Sequence, residues 1–236
     1  MSNLDSEKTL HEGWHNAWEE TVYSQGLQLN RYPFDAVVKF LFSRVPKGLD
    51  RATLNVLEIG CGAGNNLWFA AREGFRVAGI DGSHSAITFA RERFAQDHLQ
   101  GDFKVGSFSS LPWEDASFDV VIDRKALTHT TAPVIEKTLD EVKRVLKPGG
   151  RFFSEVYSDE HPGRAFGQPV DANTFSQFTG GYFNGLGTTH FFPREEIDAL
   201  YKSRFTLTSV IHRKDVDALE APQAVNAFWF IECLRV

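Results

Sequence analysis

Apolar positions along the chain fall into two alternating rhythms. Leu54, Val56, Leu57 and Ile59 form a short, partly β-branched run that stops at Gly60, as a strand buried on both faces does. Comparable runs are Phe75, Val77 and Ile80, then Phe103 to Val105, Phe118 to Ile122 and Arg151 to Tyr157. Between them the spacing changes to three and four, the period of a helix with one apolar face. Such segments are Asn65 to Arg72, Ser83 to Gln96 with Ile87, Ala90 and Phe94 on one face, and Val134 to Lys147 with Ile135, Leu139, Val142 and Leu146. Pro148-Gly149-Gly150 is expected to end the last of these. Alternating strands and helices predict an α/β fold built on a parallel sheet with helices on both faces.

The flanks read differently. Residues 6 to 24 place Leu10, Trp14, Trp18, Thr21 and Val22 at helical spacing, and Phe34 to Val45 resumes it until Pro46. After Pro193 to Lys202, a helix with proline in its first turn, Phe205 to His212 and Asn226 to Val236 read as a closing pair of strands. From Arg164 to Phe192 regularity disappears in a stretch rich in glycine and aromatics. A loop of that length over an active edge usually carries substrate contacts.

Composition narrows the function classes. The 236 residues are 42% hydrophobic and 24% charged, ordinary for one globular domain. A net charge of -6 disfavours a broad nucleic-acid footprint, which needs clustered cations to replace phosphate counterions. Cys61 and Cys233 are the two cysteines and make no disulfide framework. The amino-terminal stretch has no apolar signal-peptide core, and no run reaches the roughly 18 apolar residues of a membrane span, so a cytoplasmic protein without membrane attachment is expected. HEGWH, from His11 to His15, formally fits a zinc-protease pattern. Gly13 weakens the helix that would hold both imidazoles and no third ligand follows, so no metal is expected.

The chemistry concentrates at VLEIGCGAGNN, residues 56–66. Glycines at 60, 62 and 64 free the backbone for positive φ and admit a ligand to the main chain. Strand, glycine loop and helix amino terminus are the order that builds a nucleotide pocket. A dinucleotide fingerprint requires a further glycine or alanine where Asn65 stands. Glu58 is an awkward charge beside a pyrophosphate and a useful one beside a cationic ligand; it could also cap loop amides. Asp81 ends the second strand 21 residues after Gly60, close to the spacing of about 20 for a carboxylate that accepts ribose hydroxyls. It could equally cap the helix that begins near Ser83.

These residues resemble a known family, the class I S-adenosylmethionine-dependent methyltransferases, in its small-molecule branch. The resemblance rests on LEIGCGAG at 57–64, GIDGS at 79–83, LPWEDASFDVV at 111–121 and LKPGG at 146–150, in the family's order across about half the chain. It implies a seven-stranded Rossmann-like sheet, mostly parallel with an antiparallel last strand, and a single domain over residues 1–236. Residues 1–48 would form a helical lid, 52–157 the cofactor core, 158–192 a substrate-side insertion and 193–236 the closing helix and hairpin.

It further implies S-adenosylmethionine as cofactor, S-adenosylhomocysteine as product, and methyl transfer to oxygen or nitrogen of a small-molecule acceptor. The expected cofactor contacts are Glu58, Gly60, Cys61, Gly62, Gly64, Asn65, Asp81, Gly82, Ser107, Phe108 and Asp123. In the resemblance Ser107 faces the adenine amino group, where the family usually has an acid, and Phe108 stacks near the ring or packs in the core. The acceptor is expected among Trp18, Arg124, Tyr157, Tyr182 and His190. Catalytic candidates are His129 first as general base, His190 second, with Asp123 and Arg124 at the same strand edge. Arg124 points to an anionic acceptor, unless it pairs with Asp123. Trp14, Trp18, Tyr182 and Phe183 are expected to shield the reacting centre. The alternatives are a nicotinamide oxidoreductase, a non-catalytic cofactor-binding partner subunit, and a methyltransferase acting on protein or RNA.

Overall fold

The computed structural model describes residues 16–45, 48–219 and 224–236. Leu10, Trp14 and the HEGWH motif lie outside these. Parallel strands β1 (Asn55–Ile59), β2 (Arg76–Asp81), β3 (Asp102–Val105), β4 (Phe118–Arg124) and β5 (Leu146–Tyr157) form the sheet's first part. Three short strands follow, β6 (Gln168–Pro169), β7 (Thr174–Ser176) and β8 (Thr189–His190), and then β9 (Thr206–Val216) and β10 (Ala224–Leu234). The main sheet has seven strands in the order β3-β2-β1-β4-β5-β10-β9. β10 runs antiparallel to both neighbours, whereas the β1, β2, β3, β4 and β5 pairings are parallel. That is the sheet implied by the family resemblance.

Alternation along each strand sends neighbouring residues to opposite faces. Leu57, Ile59, Val121 and Phe152 enter one core cluster, with residues of α4 (Ala132–Val145) and α5 (Arg194–Lys202). Val56, Val120, Ile122 and Phe153 enter the other, with residues of α1 (Asp35–Arg44), α2 (Asn65–Arg72) and α3 (His84–Gln96). Each fully buried Leu, Ile or Phe of these strands stabilises the sheet by roughly 1.5–3 kcal/mol relative to exposure. The short strands are apolar on both sides because both sides are covered.

Two boundaries differ from the sequence reading. α4 stops at Val145, and Leu146 already pairs with Phe118, so LKPGG opens β5 instead of forming a separate helix stop. Pairing jumps from Phe118/Leu146 to Val120/Arg151, a bulge that loops out the proline and both glycines. The stretch 164–192 is also not an irregular loop. β6, β7 and β8 form a small antiparallel sheet, and Phe178, Phe183, Leu186 and Phe191 make an apolar cluster with Val22, Tyr157 and Phe228. Its glycines masked this order, since strands of two or three residues leave no period to read.

At the other flank, Trp18–Tyr23 is one π-helical turn whose Ser24 amide reaches back to Glu19 C=O. Thr21 Oγ1 donates to Ala17 C=O, which loosens the ordinary helical ladder.

Candidate functional site

The carboxyl ends of β1, β2 and β4 open into one cleft, enclosing about 870 Å³ with its open mouth included. Trp18, Glu58, Gly60, Cys61, Gly62, Asn65, Asp81, Gly82, Phe108, Arg124, His129, Tyr157 and Tyr182 all line it. Gly64, Ser107, Asp123 and His190 do not.

The glycine loop turns because Gly60, Gly62 and Gly64 hold φ of 61°, 50° and 72°, where side chains are strained. Space is as restrictive. A Cβ on Gly60 would lie 2.3 Å from Ala126 Cβ, and one on Gly62 would lie 2.3 Å from Tyr23 Oη. Gly64 sits behind the cleft as the cap residue of α2. Asn65 Nδ2 donates to Tyr32 C=O at 2.8 Å and Asn66 Oδ1 accepts from the Phe34 amide at 3.0 Å, stitching the segment after the π-helical turn to the loop.

Glu58 is 2% exposed, and its Oε1 accepts from Asn66 Nδ2 at 2.7 Å. Its Oε2 is buried without a hydrogen-bond partner among the described residues. Burial raises its carboxyl from 4.5 to about 8, against the Asn66 hydrogen bond and the charge of Arg124. A half-satisfied buried carboxyl in a cleft is what a cationic group would complete.

Asp81 accepts from the Gly62 amide at 2.8 Å and the Ser83 amide at 2.9 Å, and burial raises it to about 6. The cap of α3 is Ser83, whose Oγ accepts from the Ala86 amide. Asp81 therefore ties the glycine loop to the start of α3, and two amides leave a carboxylate lone pairs for further donors. Above it, the Glu19 carboxylate accepts from Ser83 Oγ, Ser85 Oγ and the Ser85 amide. The π-helical turn is thereby fastened over the cleft.

Besides Gly64, three expected site residues are placed elsewhere. Asp123, wholly buried, accepts from the Ala126 and Leu127 amides at 2.8 and 3.2 Å and from Ser154 Oγ at 2.6 Å. It shapes the turn after β4, and burial raises it to about 7. His190 is 1% exposed, with Nδ1 2.8 Å from Thr174 Oγ1 and Nε2 3.1 Å from Glu196 Oε1. Both nitrogens are engaged in fastening β8 to β7 and α5, away from the cleft. Ser107 Oγ lies 2.9 Å from Ser109 Oγ and accepts from the Ser109 amide. Phe108 lines the cleft and also belongs to the sheet's core.

The far half of the cleft is aromatic and cationic. The His129 ring meets Trp18 edge-on with centroids 4.8 Å apart, and Tyr157 at 6.2 Å. Burial, then Lys125 and Arg124, push His129 down to about 3, so the imidazole is neutral. Its ring bonds the Thr188 backbone, and Nδ1 has no partner among the described residues. Arg124 does not pair with Asp123. Its guanidinium lies over the Phe34 ring at 3.4 Å, with Nε 3.7 Å from Glu155 Oε2. Tyr182 faces the cleft, whereas Phe183 is buried in the insertion's own cluster.

Sequence reading gave Tyr23, Asn66 and Lys125 no role in the site. Lys125 was visible as the third charge at the end of β4, and Asn66 as the neighbour of Asn65. Nothing in the sequence marks Tyr23, because its place over Gly62 depends on how the π-helical turn docks.

Among the described residues no group of three or more metal-ligating side chains occurs, and no helix is long and apolar enough to cross a membrane. Residues 56–150 match the family described as "Methyltransferase domain". The chain is 37% identical over 125 residues, 52% of its length and 45% of the relative's, to a probable phthiotriol/phenolphthiotriol dimycocerosates methyltransferase 2 of Mycobacterium ulcerans. It is 34% identical over 142 residues, 59% of its length and 47% of the relative's, to a fatty-acid O-methyltransferase of Mycolicibacterium smegmatis. It thus spans about half the length of these two relatives. A SAM-dependent methyltransferase structure from Methanosarcina mazei superposes with a TM-score of 0.69 at 22% identity, covering 87% of this chain and 99% of that one. Strand order, glycine loop and family match agree in identifying residues 56–150 as a methyltransferase domain.

Proposed function

We propose that this protein binds S-adenosylmethionine in the cleft and transfers its methyl group to an oxygen or nitrogen of a small-molecule acceptor. The observation that carries the reading is the pair of buried carboxyls at adjacent strand ends, Glu58 and Asp81, bracketing the glycine loop. Glu58 offers an unpartnered oxygen to the donor's ammonium, and Asp81 retains lone pairs for its ribose hydroxyls. The same unpartnered carboxyl oxygen disfavours a dinucleotide pyrophosphate. When bound, the donor supplies an electrophilic methyl on a sulfonium.

What the chain adds is alignment, dryness and a proton acceptor. Holding two reactants in line is worth up to about 7–11 kcal/mol of barrier. Trp18, Tyr157 and Tyr182 line the far half of the cleft with rings that would shield a bound acceptor from water, where fixed dipoles act more strongly. His129, neutral and with Nδ1 unpartnered, is our candidate to take the acceptor's proton as the heteroatom forms its new bond to carbon; held near 3 in the ligand-free cleft it is a weak base, and an anionic acceptor that offsets Lys125 and Arg124 would raise it. The matched relative named as a fatty-acid O-methyltransferase supports oxygen as the acceptor atom.

The test is incubation of the purified protein with a methyl-labelled donor and pooled metabolites. Label is expected in the small-molecule fraction, on oxygen or nitrogen. Label only in protein or RNA would overturn the acceptor class, and tight product binding without any turnover would favour a non-catalytic subunit.

A further inference from the structure

The turn that ends β4 is built to bring two cations to the acceptor half of the cleft. Lys125 has φ of 65°, a left-handed conformation that strains any side-chain-bearing residue. Its amide is held by Glu155 C=O at 2.8 Å, and the Asp123 carboxylate fixes the next two amides. So constrained, the Lys125 side chain is 10% exposed, with Nζ 3.1 Å from Glu155 Oε1 and 4.5 Å from the centre of the Tyr157 ring. Arg124 approaches the other oxygen of the same Glu155, and its buried Nε makes no hydrogen bond among the described residues. Both cations line the cleft; Glu155 does not.

Two cations therefore share one carboxylate. The other acids near them are committed: Asp123 to three donors, Asp215 to Arg213 Nε at 3.0 Å, and Glu58 to the donor's ammonium in the reading above. Among the protein's own groups, before the donor brings its carboxylate, one positive charge is left in excess in a half-buried, ring-walled space, where an unpaired cation is costly and an incoming anion is favoured. The walls beside it, Trp18, His129 and Tyr157, are flat rings with neighbouring centroids 4.8 and 6.2 Å apart. Flat walls favour a flat ligand that meets them ring against ring.

We infer that the methyl acceptor is a small planar carboxylic acid whose carboxylate is received by Lys125 with Arg124, Glu155 setting how much positive charge they present. Lys125 is then a specificity-determining residue. This rests on the methyltransferase reading of the cleft. It has its own test, because donor-site binding is measured separately with S-adenosylhomocysteine.

With the protein saturated by S-adenosylhomocysteine, calorimetry compares salicylate with salicylamide, the same ring with and without the charge, and with hexanoate, the same charge without the ring. Salicylate is expected to bind at least about tenfold more tightly than either, the order expected of one hydrogen-bonded charge. Lys125→Gln should bring the acid within about threefold of the amide, and Glu155→Gln should widen the preference beyond wild type, both with S-adenosylhomocysteine affinity unchanged. A structural role alone would not move the two variants in opposite directions. Should Lys125→Gln fail to fold, Glu155→Gln decides alone. Equal binding of acid and amide, no binding of salicylate, hexanoate as tight as salicylate, or a preference in Glu155→Gln no greater than wild type would overturn the inference. Failure of S-adenosylhomocysteine to bind would instead overturn the reading on which it rests.

Discussion

Glu58 yields the sharpest consequence of the structure, because its carboxyl is raised to about 8 before any ligand arrives. At pH 7 such a group is about one-tenth ionised. A ligand whose ammonium requires the carboxylate then drives off about 0.9 proton on binding, and its affinity rises up to about tenfold per pH unit until pH 8. Calorimetric titration with S-adenosylhomocysteine in buffers of different ionisation enthalpy measures that proton directly. The perturbation is Glu58→Gln, which keeps the acceptor for Asn66 and removes the titration. It should abolish proton release and lower affinity at pH 8. The ligand-free protein should respond in the opposite sense. The unfolded carboxyl ionises near 4.5 and the folded one near 8, so stability falls as pH rises through that window. The penalty, at about 1.4 kcal/mol per pH unit, is on the order of 3 kcal/mol at pH 7. Glu58→Gln should therefore melt higher than wild type at pH 7 to 8, with the gap closing towards pH 5. Buffer-independent binding heats, or a variant less stable than wild type at pH 8, would refute the reasoning.

Three further outcomes are expected. Asp81→Ala removes two charge-assisted hydrogen bonds, one to the glycine loop and one to the start of α3, together with the ribose acceptor, so S-adenosylhomocysteine affinity should fall at least tenfold, at about 1.5–3 kcal/mol per bond before water compensates. His129→Ala should slow turnover ~10²-fold or more with product affinity nearly unchanged, as lost general-base catalysis does; full turnover in the variant would leave alignment as the whole effect. Glu19→Ala releases the π-helical turn from Ser83 and Ser85, and hydrogen exchange across residues 18–27 should quicken while ligand leaves faster; unchanged exchange would show that aromatic packing alone holds the turn.

The sheet was legible because its strands are short apolar runs bounded by glycine and charge, a local signal. So was the cofactor half of the cleft, since Glu58, the glycines and Asp81 sit at strand ends that the fold must bring together. The acceptor half was legible in part, since Trp18, Arg124, His129, Tyr157 and Tyr182 line the cleft and Asp123 and His190 do not. Asp123 and Lys125 are two residues apart on one strand end, and only the left-handed turn at Lys125 sends one into the core and the other into the cleft. His190 read as a candidate base because THFFPREE resembles a segment that in the family often closes over the substrate, although a histidine just before a helix is as often structural. Its role is decided by Thr174 and Glu196, which reach it through a sheet too short to leave a pattern.

The central claim is that the cleft holds the ammonium of an amino acid linked to a ribonucleoside. One competitive titration tests it most directly, with S-adenosylhomocysteine and NAD measured against the same protein. The structure predicts saturable binding of S-adenosylhomocysteine at one site per chain, weakened at least tenfold by Asp81→Ala, and no displacement by NAD. Tight NAD binding, or S-adenosylhomocysteine affinity indifferent to Asp81, would contradict it.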